Sequence, residues 1–266
     1  MTATERTPLA VDIDERVAVV TLNRPEVRNA LSPALTAALR VAVAQLEADD
    51  GVDVLILTGA DPAFCAGVDL KALGTGQTTL QGPNVGPFEP RTKLLIGAIN
   101  GPTVTGGLEL ALNCDFLVAS DRASFADTHA RVGVMPGWGL TVLLPERIGI
   151  TRAREMSATG NFIDANTALS WGLVNHVVDH DDLIPFCRRL AADCSTIDQT
   201  TVRQLLAAYN AVTATTVAEG WKIEADISER WLEDRFDAGA VDAARASIIR
   251  RGREQLPGGA DARPHQ

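Results

Sequence analysis

The chain has 266 residues, 46% of them hydrophobic and 22% charged, enough for a sizeable core in one large globular domain or in one domain with a helical appendage. A formal net charge of -10 and a pI near 4.9 exclude the clustered basic face that nucleic acid demands, but not a local basic pocket for one anionic ligand. No stretch reaches the roughly 18 apolar residues of a membrane span, and residues 1–8 lack the charged start and apolar centre of a signal peptide, so the expectation is a cytoplasmic protein with no membrane and no nucleic-acid partner.

Residues 9–22 predict two short strands, with Val17, Val19 and Thr21-Leu22 in alternation, closed by the turn signal Asn23-Arg24-Pro25. Ser32-Pro33 has the form of an N-cap and first turn, and Leu35, Ala38, Leu39, Ala42, Val43 and Leu46 follow at helical spacing, which predicts a helix over 33–48. The β-branched apolar run 54–58 is a strand buried on both faces, so strand, helix and strand form a parallel crossover. Residues 74–90 are rich in Gly, Pro, Thr and Gln without a period, and predict a mobile loop that either faces the substrate or is a passive surface insertion. Strands over 94–99, 116–119 and 174–178 follow, with a short helix opening at Gly106-Gly107. Helices are predicted over 138–147, 151–158, 165–171, 180–193, 198–210, 215–233 and 239–254.

Several motifs fail on inspection. Gly74-Thr75-Gly76 has no third glycine at dinucleotide spacing and no strand feeding it, and neither a phosphate loop nor a nucleophile elbow occurs. His176 and His180 are four apart, but His176 falls in a predicted strand and a third ligand is missing, so no metal site is expected. Cys65, Cys114, Cys187 and Cys194 lack metal-ligand spacing and lie in apolar or helical stretches, which predicts reduced and mostly buried thiols.

Two glycine-bearing segments each follow a predicted buried strand: Phe64-Cys65-Ala66-Gly67-Val68-Asp69-Leu70 after 54–58, and Asn100-Gly101 through Gly106-Gly107-Leu108-Glu109 after 94–99. Turns at the carboxyl ends of such strands are where an open α/β sheet presents its ligand site, with backbone N–H groups facing outward at a helix start. With Arg28-Asn29-Ala30-Leu31, Cys114-Asp115, Phe125-Ala126-Asp127, Gly133, Pro136-Gly137, Thr159-Gly160 and Gly172-Leu173-Val174, in this order and spacing, the chain resembles the crotonase superfamily, the enoyl-CoA hydratases and isomerases, from Val17 to about Arg253.

The resemblance implies an α/β fold of the crotonase type, a spiral of ββα units with a helical C-terminal trimerisation region. Residues 1–8 would be a disordered N-terminus, 9–195 the core, 196–256 the helical region and 257–266 a disordered tail. It further implies an acyl-CoA thioester substrate, no cofactor beyond the coenzyme A carried by that substrate, and a homotrimer or homohexamer.

It also implies residue roles. Ala66 and Gly106 match the positions whose N–H groups form the oxyanion hole, where preorganised donors are each worth roughly 3 to 4 kcal/mol to an enolate-like state. On the residues alone, without the flanking match, Gly106-Gly107 reads first as a tight turn. Arg28 and Ala30 match the stretch lining the CoA pocket, and Asp69 and Leu70 lie where the adenine-side loop runs. Glu109 matches a catalytic acid/base, three residues past Gly106 and within reach of the acyl carbons. The second glutamate of the best-known hydratases is replaced by His129, which either shares acid/base work, with Asp127 orienting its ring from an extended segment, or fills the pocket. Gly137 matches a glycine that positions the catalytic water, and Trp138 either walls the acyl tunnel or packs in the core. Three functions follow: hydration of a trans-2-enoyl-CoA by Glu109 and His129, isomerisation or another acyl-CoA reaction by Glu109 alone, or non-catalytic acyl-CoA binding.

Overall fold

Alternate side chains along each central strand enter two different cores, which is why these strands read as unbroken apolar runs. In the computed structural model, which describes residues 7–69, 86–213 and positions 215, 226, 230 and 234, strands β1 (Leu9–Asp14) and β2 (Val17–Leu22) form an antiparallel hairpin. Helix α1 (Pro33–Ala48) leads to β3 (Val54–Gly59), followed by β4 (Leu94–Ile99), β5 (Pro102–Val104), α2 (Gly106–Leu112), β6 (Phe116–Ser120), β7 (Ser124–Ala126) and α3 (His129–Val132). Helices α4 (Leu140–Ile148) and α5 (Ile150–Thr159), strand β8 (Ile163–Asp164), helix α6 (Ala165–Trp171), strand β9 (His176–Val178), and helices α7 (Leu183–Ser195) and α8 (Gln199–Thr213) complete the order.

The large sheet runs β1-β2-β3-β4-β6-β9, parallel from β2 onward. Val17, Val19, Val54, Ile56, Leu94, Ile96 and Val118 pack on Leu183, Cys187 and Ala191 of α7. Their neighbours Ala18, Val20, Leu55, Leu57, Leu95, Ile99 and Leu117 join the larger core with α1 and α2. Full burial of each valine, leucine or isoleucine among them contributes about 1.5 to 3 kcal/mol.

The small sheet, β5-β7-β8, shows how the ββα units turn. β4 and β6 belong to the large sheet, whereas β5 and β7, which follow them, pair parallel with each other in the small one. Each unit then closes with a helix, α2 after β5 and α3 after β7. This is the α/β spiral expected, and it brings the starts of α2 and α3 side by side. A bridge from Cys65 to Thr103 carries the turn after β3 to the same edge.

Helix α1 has the expected cap, with Ser32 accepting the Leu35 N–H at 3.2 Å ahead of Pro33. The helix expected from 138 starts at Leu140, because the N–H groups of Gly137 and Trp138 are given to a carboxylate instead. The helix expected from 180 starts at Leu183, after a 3₁₀ turn over His180–Asp182. Strands β5, β7 and β8, of two or three residues, are too short to show alternation. Most of the 74–90 loop, the ends of the chain and most of the last two expected helices lie outside the described residues, although 226, 230 and 234 are helical. The chain divides into two compact units, Met1–Leu206 and Ala207–Gln266. Among the described residues no helix is long and apolar enough to cross a membrane.

The close approach of α2 to the turn after β3 depends on Gly107. A Cβ there would lie 2.2 Å from the Cys65 carbonyl oxygen and 2.8 Å from its Cβ. Gly107→Ala should therefore destabilise the fold by at least about 1 to 3 kcal/mol, read as a lowered urea midpoint; an unchanged midpoint would mean that the turn and helix do not touch as described.

Candidate active site

The start of α2 is held in an unusual backbone conformation. Thr105 has φ 54 and ψ -111, which costs a β-branched residue on the order of 1 to 3 kcal/mol and persists only where surroundings impose it. Here its N–H donates to the Ala126 carbonyl at 2.9 Å, its hydroxyl meets the Thr128 hydroxyl at 2.5 Å, and the same oxygen accepts the Thr128 N–H at 3.2 Å. The next residue, Gly106, is buried, and as the first helical position it has no intrahelical acceptor for its N–H.

Ala66 does not supply a partner donor, contrary to expectation. Its N–H donates to the Arg28 carbonyl at 3.0 Å and is used up in backbone pairing. Gly67, at φ 88, then turns the chain. The Gly67 carbonyl accepts from Leu31 at 2.7 Å and the Asp69 N–H returns to the Leu31 carbonyl at 3.0 Å, which leaves the intervening Val68 N–H pointing the other way. It takes no acceptor among the described residues. A Cβ built on Gly106 would lie 3.7 Å from the Val68 nitrogen, and one on Gly67 3.4 Å from the Gly106 nitrogen. Two uncommitted N–H groups, Val68 and Gly106, thus stand together and can hold one oxygen between them.

Three residues beyond Gly106, Glu109 is 4% exposed. Its Oε1 accepts the N–H groups of Gly137 at 3.0 Å and Trp138 at 2.7 Å. Its Oε2 lies 3.4 Å from His129 Nε2, while His129 Nδ1 lies 2.6 Å from Asp127 Oδ1. All three side chains are buried. Burial alone would lower the His129 pKa, but hydrogen bonds to Asp127 and Glu109 and their charges outweigh it and push it up to about 9. Burial likewise opposes ionisation of Asp127, yet donation from the His129 ring, Ser157 and the His129 N–H holds its carboxyl below the ordinary range.

His129 is therefore an imidazolium between two carboxylates at neutral pH. The Asp127 contact arises differently from the expected one: His129 opens α3 rather than continuing a strand, and Asp127 accepts both its N–H at 3.1 Å and its ring. The 3.4 Å gap to Glu109 exceeds the 2.7–2.9 Å of a tight charge-assisted bond. Chemically, the site offers a carboxylate whose second oxygen faces a proton donor 3.4 Å away, and two N–H groups within three residues of it along α2 and at the turn beside it.

The other expected residues fall around this centre. Gly137 directs its N–H to Glu109, not to open space, and Trp138 does the same while its ring packs partly buried against the larger core. Arg28, at φ 53, has an exposed side chain with no partner among the described residues. Ala30 is buried, and its carbonyl accepts from Arg24 at 2.5 Å. Asp69 pairs with Arg24 at 3.3 Å, and Leu70 lies outside the described residues. Val68, Ser157 and the Thr105–Thr128 pair were missed by sequence reasoning; only Gly67, as a turn residue, hinted at Val68. Cys65, Cys114 and Cys187 are buried, with burial pushing each thiol up to about 12. His180 contacts Asp61 at 3.1 Å and Ser120 at 3.3 Å, and the His176 ring packs tilted against Phe186 with centroids 5.0 Å apart.

The profile of the enoyl-CoA hydratase/isomerase family matches residues 12–239. A solved enoyl-CoA hydratase from Mycobacterium tuberculosis H37Rv is 52% identical, with a TM-score of 0.74 over 84% of this chain and 98% of its own. An Arabidopsis thaliana protein described as probable enoyl-CoA hydratase 1, peroxisomal, is 42% identical over 179 residues, 66% of this chain and 68% of that one. The crotonyl-CoA hydratase of Syntrophomonas wolfei is 34% identical over 226 residues, 82% of this chain and 87% of that one.

Proposed function

Since the chain belongs to the enoyl-CoA hydratase/isomerase family, we propose that it adds water across the double bond of a trans-2-enoyl-CoA thioester, with Glu109 and His129 as the acid/base pair. The observation that carries this reading is the buried Glu109–His129 contact at 3.4 Å, backed by Asp127. Addition of H and OH needs one group to take a proton and another to give one, and these two face the same space.

In this mechanism the Val68 and Gly106 N–H groups hold the thioester oxygen. Water bound between Glu109 Oε2 and His129 gives its proton to that carboxylate as its oxygen bonds to the β carbon. The π electrons move toward the thioester oxygen, where the two N–H groups stabilise the enolate-like state. His129 then protonates the α carbon, and Glu109 returns the proton to His129, so the site is regenerated with one water added. Both groups lie on one side of the acyl chain, which makes the addition syn. The two N–H groups on Oε1 fix the orientation of the Glu109 side chain and turn Oε2 toward His129.

Arg28, exposed and without a partner among the described residues, supports a contact with CoA phosphate. Glu109, His129, Val68 and Gly106 are the proposed reacting and oxygen-binding groups, with Gly137 and Trp138 acting through their N–H groups on Glu109.

Incubation with a panel of 2-enoyl- and 3-enoyl-CoA thioesters, with products read by mass, tests the proposal. The expected result is a gain of one water on 2-enoyl substrates. Migration of the double bond without change of mass would reassign the site to isomerisation by Glu109 alone, and tight binding without any product would make it a non-catalytic acyl-CoA binder.

A further inference from the structure

The two halves of this site sit on different ββα units. Gly106 opens α2 of one unit, and His129 opens α3 of the next. Hydration requires the thioester oxygen to sit at the Gly106 N–H while the α and β carbons sit between Glu109 of α2 and His129 of α3, so the offset between the helix starts sets the reaction geometry.

Besides the Glu109–His129 contact, one side-chain pair among the described residues joins the two starts directly. Thr105, immediately before Gly106, and Thr128, immediately before His129, meet hydroxyl to hydroxyl at 2.5 Å. The Thr128 N–H also donates to Thr105 Oγ1 at 3.2 Å, and the Thr105 N–H to the Ala126 carbonyl at 2.9 Å. Thr128 is the N-cap residue of α3, yet its hydroxyl makes no capping bond within its own helix; it is turned to the neighbouring unit instead. Thr105 carries the positive φ that sets the direction of the following peptide, the one whose N–H belongs to Gly106. A β-branched residue is a poor choice for that conformation, so its hydroxyl contacts are a reason to find it there.

We propose that Thr105 and Thr128 are positioning residues, a hydroxyl clasp that holds the Gly106 N–H in register with His129 and so fixes the acyl group between oxygen-binding and proton-transferring groups. This rests on the hydratase reading. The clasp touches neither substrate nor reacting atoms and acts through Gly106 and His129.

Thr105→Val and Thr128→Val each remove one hydroxyl while keeping the branched shape, and Thr128→Val leaves the strained residue untouched should Thr105→Val fold poorly. Misplacement by about 1 Å can cost a hundredfold in rate, so each variant should lower kcat about tenfold or more with KM within about threefold, and the double variant should be little worse than either single one. Thr105→Ser and Thr128→Ser, which keep the hydroxyls, should stay within a few fold of wild type.

A second readout needs no water addition. A bound 3-oxoacyl-CoA absorbs in the near ultraviolet as its enolate, and the band per bound ligand reports how well the oxygen is held. It should weaken in both valine variants while affinity is kept. Valine variants with wild-type kcat and an undiminished band would overturn the clasp. Equal loss in the serine variants would reduce it to a packing contact and overturn it too. A wild-type protein that forms the enolate band but adds no water would sink the hydratase reading and leave the clasp to be judged on the band.

Discussion

Glu109→Gln should lower kcat by at least about a hundredfold while acyl-CoA binding survives, because general acid/base groups contribute about 10² to 10⁴ to rate and this one is the only proposed acceptor for the water proton. The substitution keeps the shape but cannot satisfy both edges of the side chain. One edge meets the N–H groups of Gly137 and Trp138, and the other meets the ring of His129. Whichever way the amide is turned, its NH₂ faces a donor while His129 is protonated. A buried mismatch of this kind costs about 1 to 3 kcal/mol, so the variant should also lose stability. Loss of the enoyl thioester absorbance gives kcat, and titration with a saturated acyl-CoA gives affinity. Loss of binding with unchanged turnover per bound substrate would make Glu109 structural.

His129→Ala is the second large effect. Water addition should fall by about a hundredfold, since the variant lacks the proton donor for the α carbon and leaves Asp127 buried without its ring partner. The pH dependence has a definite sign. The pKa of His129 rises from about 6.5 in the unfolded chain to about 9 in the folded protein. Its contribution to stability is then fully present below about pH 6.5 and disappears as pH rises through about 9. The wild type should therefore exceed His129→Ala in stability most clearly near pH 6, with this histidine-dependent excess gone near pH 10. The hydration rate should fall over the upper part of the same range as the donor loses its proton. Denaturant titrations and rate profiles of both proteins check this. Parallel stability curves with an unchanged rate would show a neutral, space-filling histidine.

Parts of this structure were legible in the sequence because they depend on long or local signals. The apolar runs at 54–58 and 94–99 could only be strands with both faces covered, and Ser32-Pro33 could only start a helix of that period. Glu109 was legible from its distance to Gly106, since three residues is less than one helical turn. The uncommitted N–H beside Gly106 was expected at Ala66 and stands at Val68 because the outcome depends on the rotation of a single peptide at Gly67, and nothing in residue type says which neighbouring N–H is left over. The Asp127–His129 contact was anticipated on the wrong backbone: residues two apart share a side in a strand, but the same pairing is reached when an aspartate accepts the N–H of the residue opening a helix. Thr105 was invisible, because a β-branched residue argues against positive φ and only its tertiary hydrogen bonds reverse that.

The central claim is that Glu109 and His129 together place the two parts of one water molecule on adjacent carbons. Turnover of a 2-enoyl-CoA in ¹⁸O-enriched water, and separately in deuterated water, tests it most directly. The predicted product carries one heavy oxygen on the β carbon and, in the deuterated experiment, one deuterium on the α carbon of the same face. A product with deuterium at carbon but no heavy oxygen, its double bond moved along the chain, would contradict it.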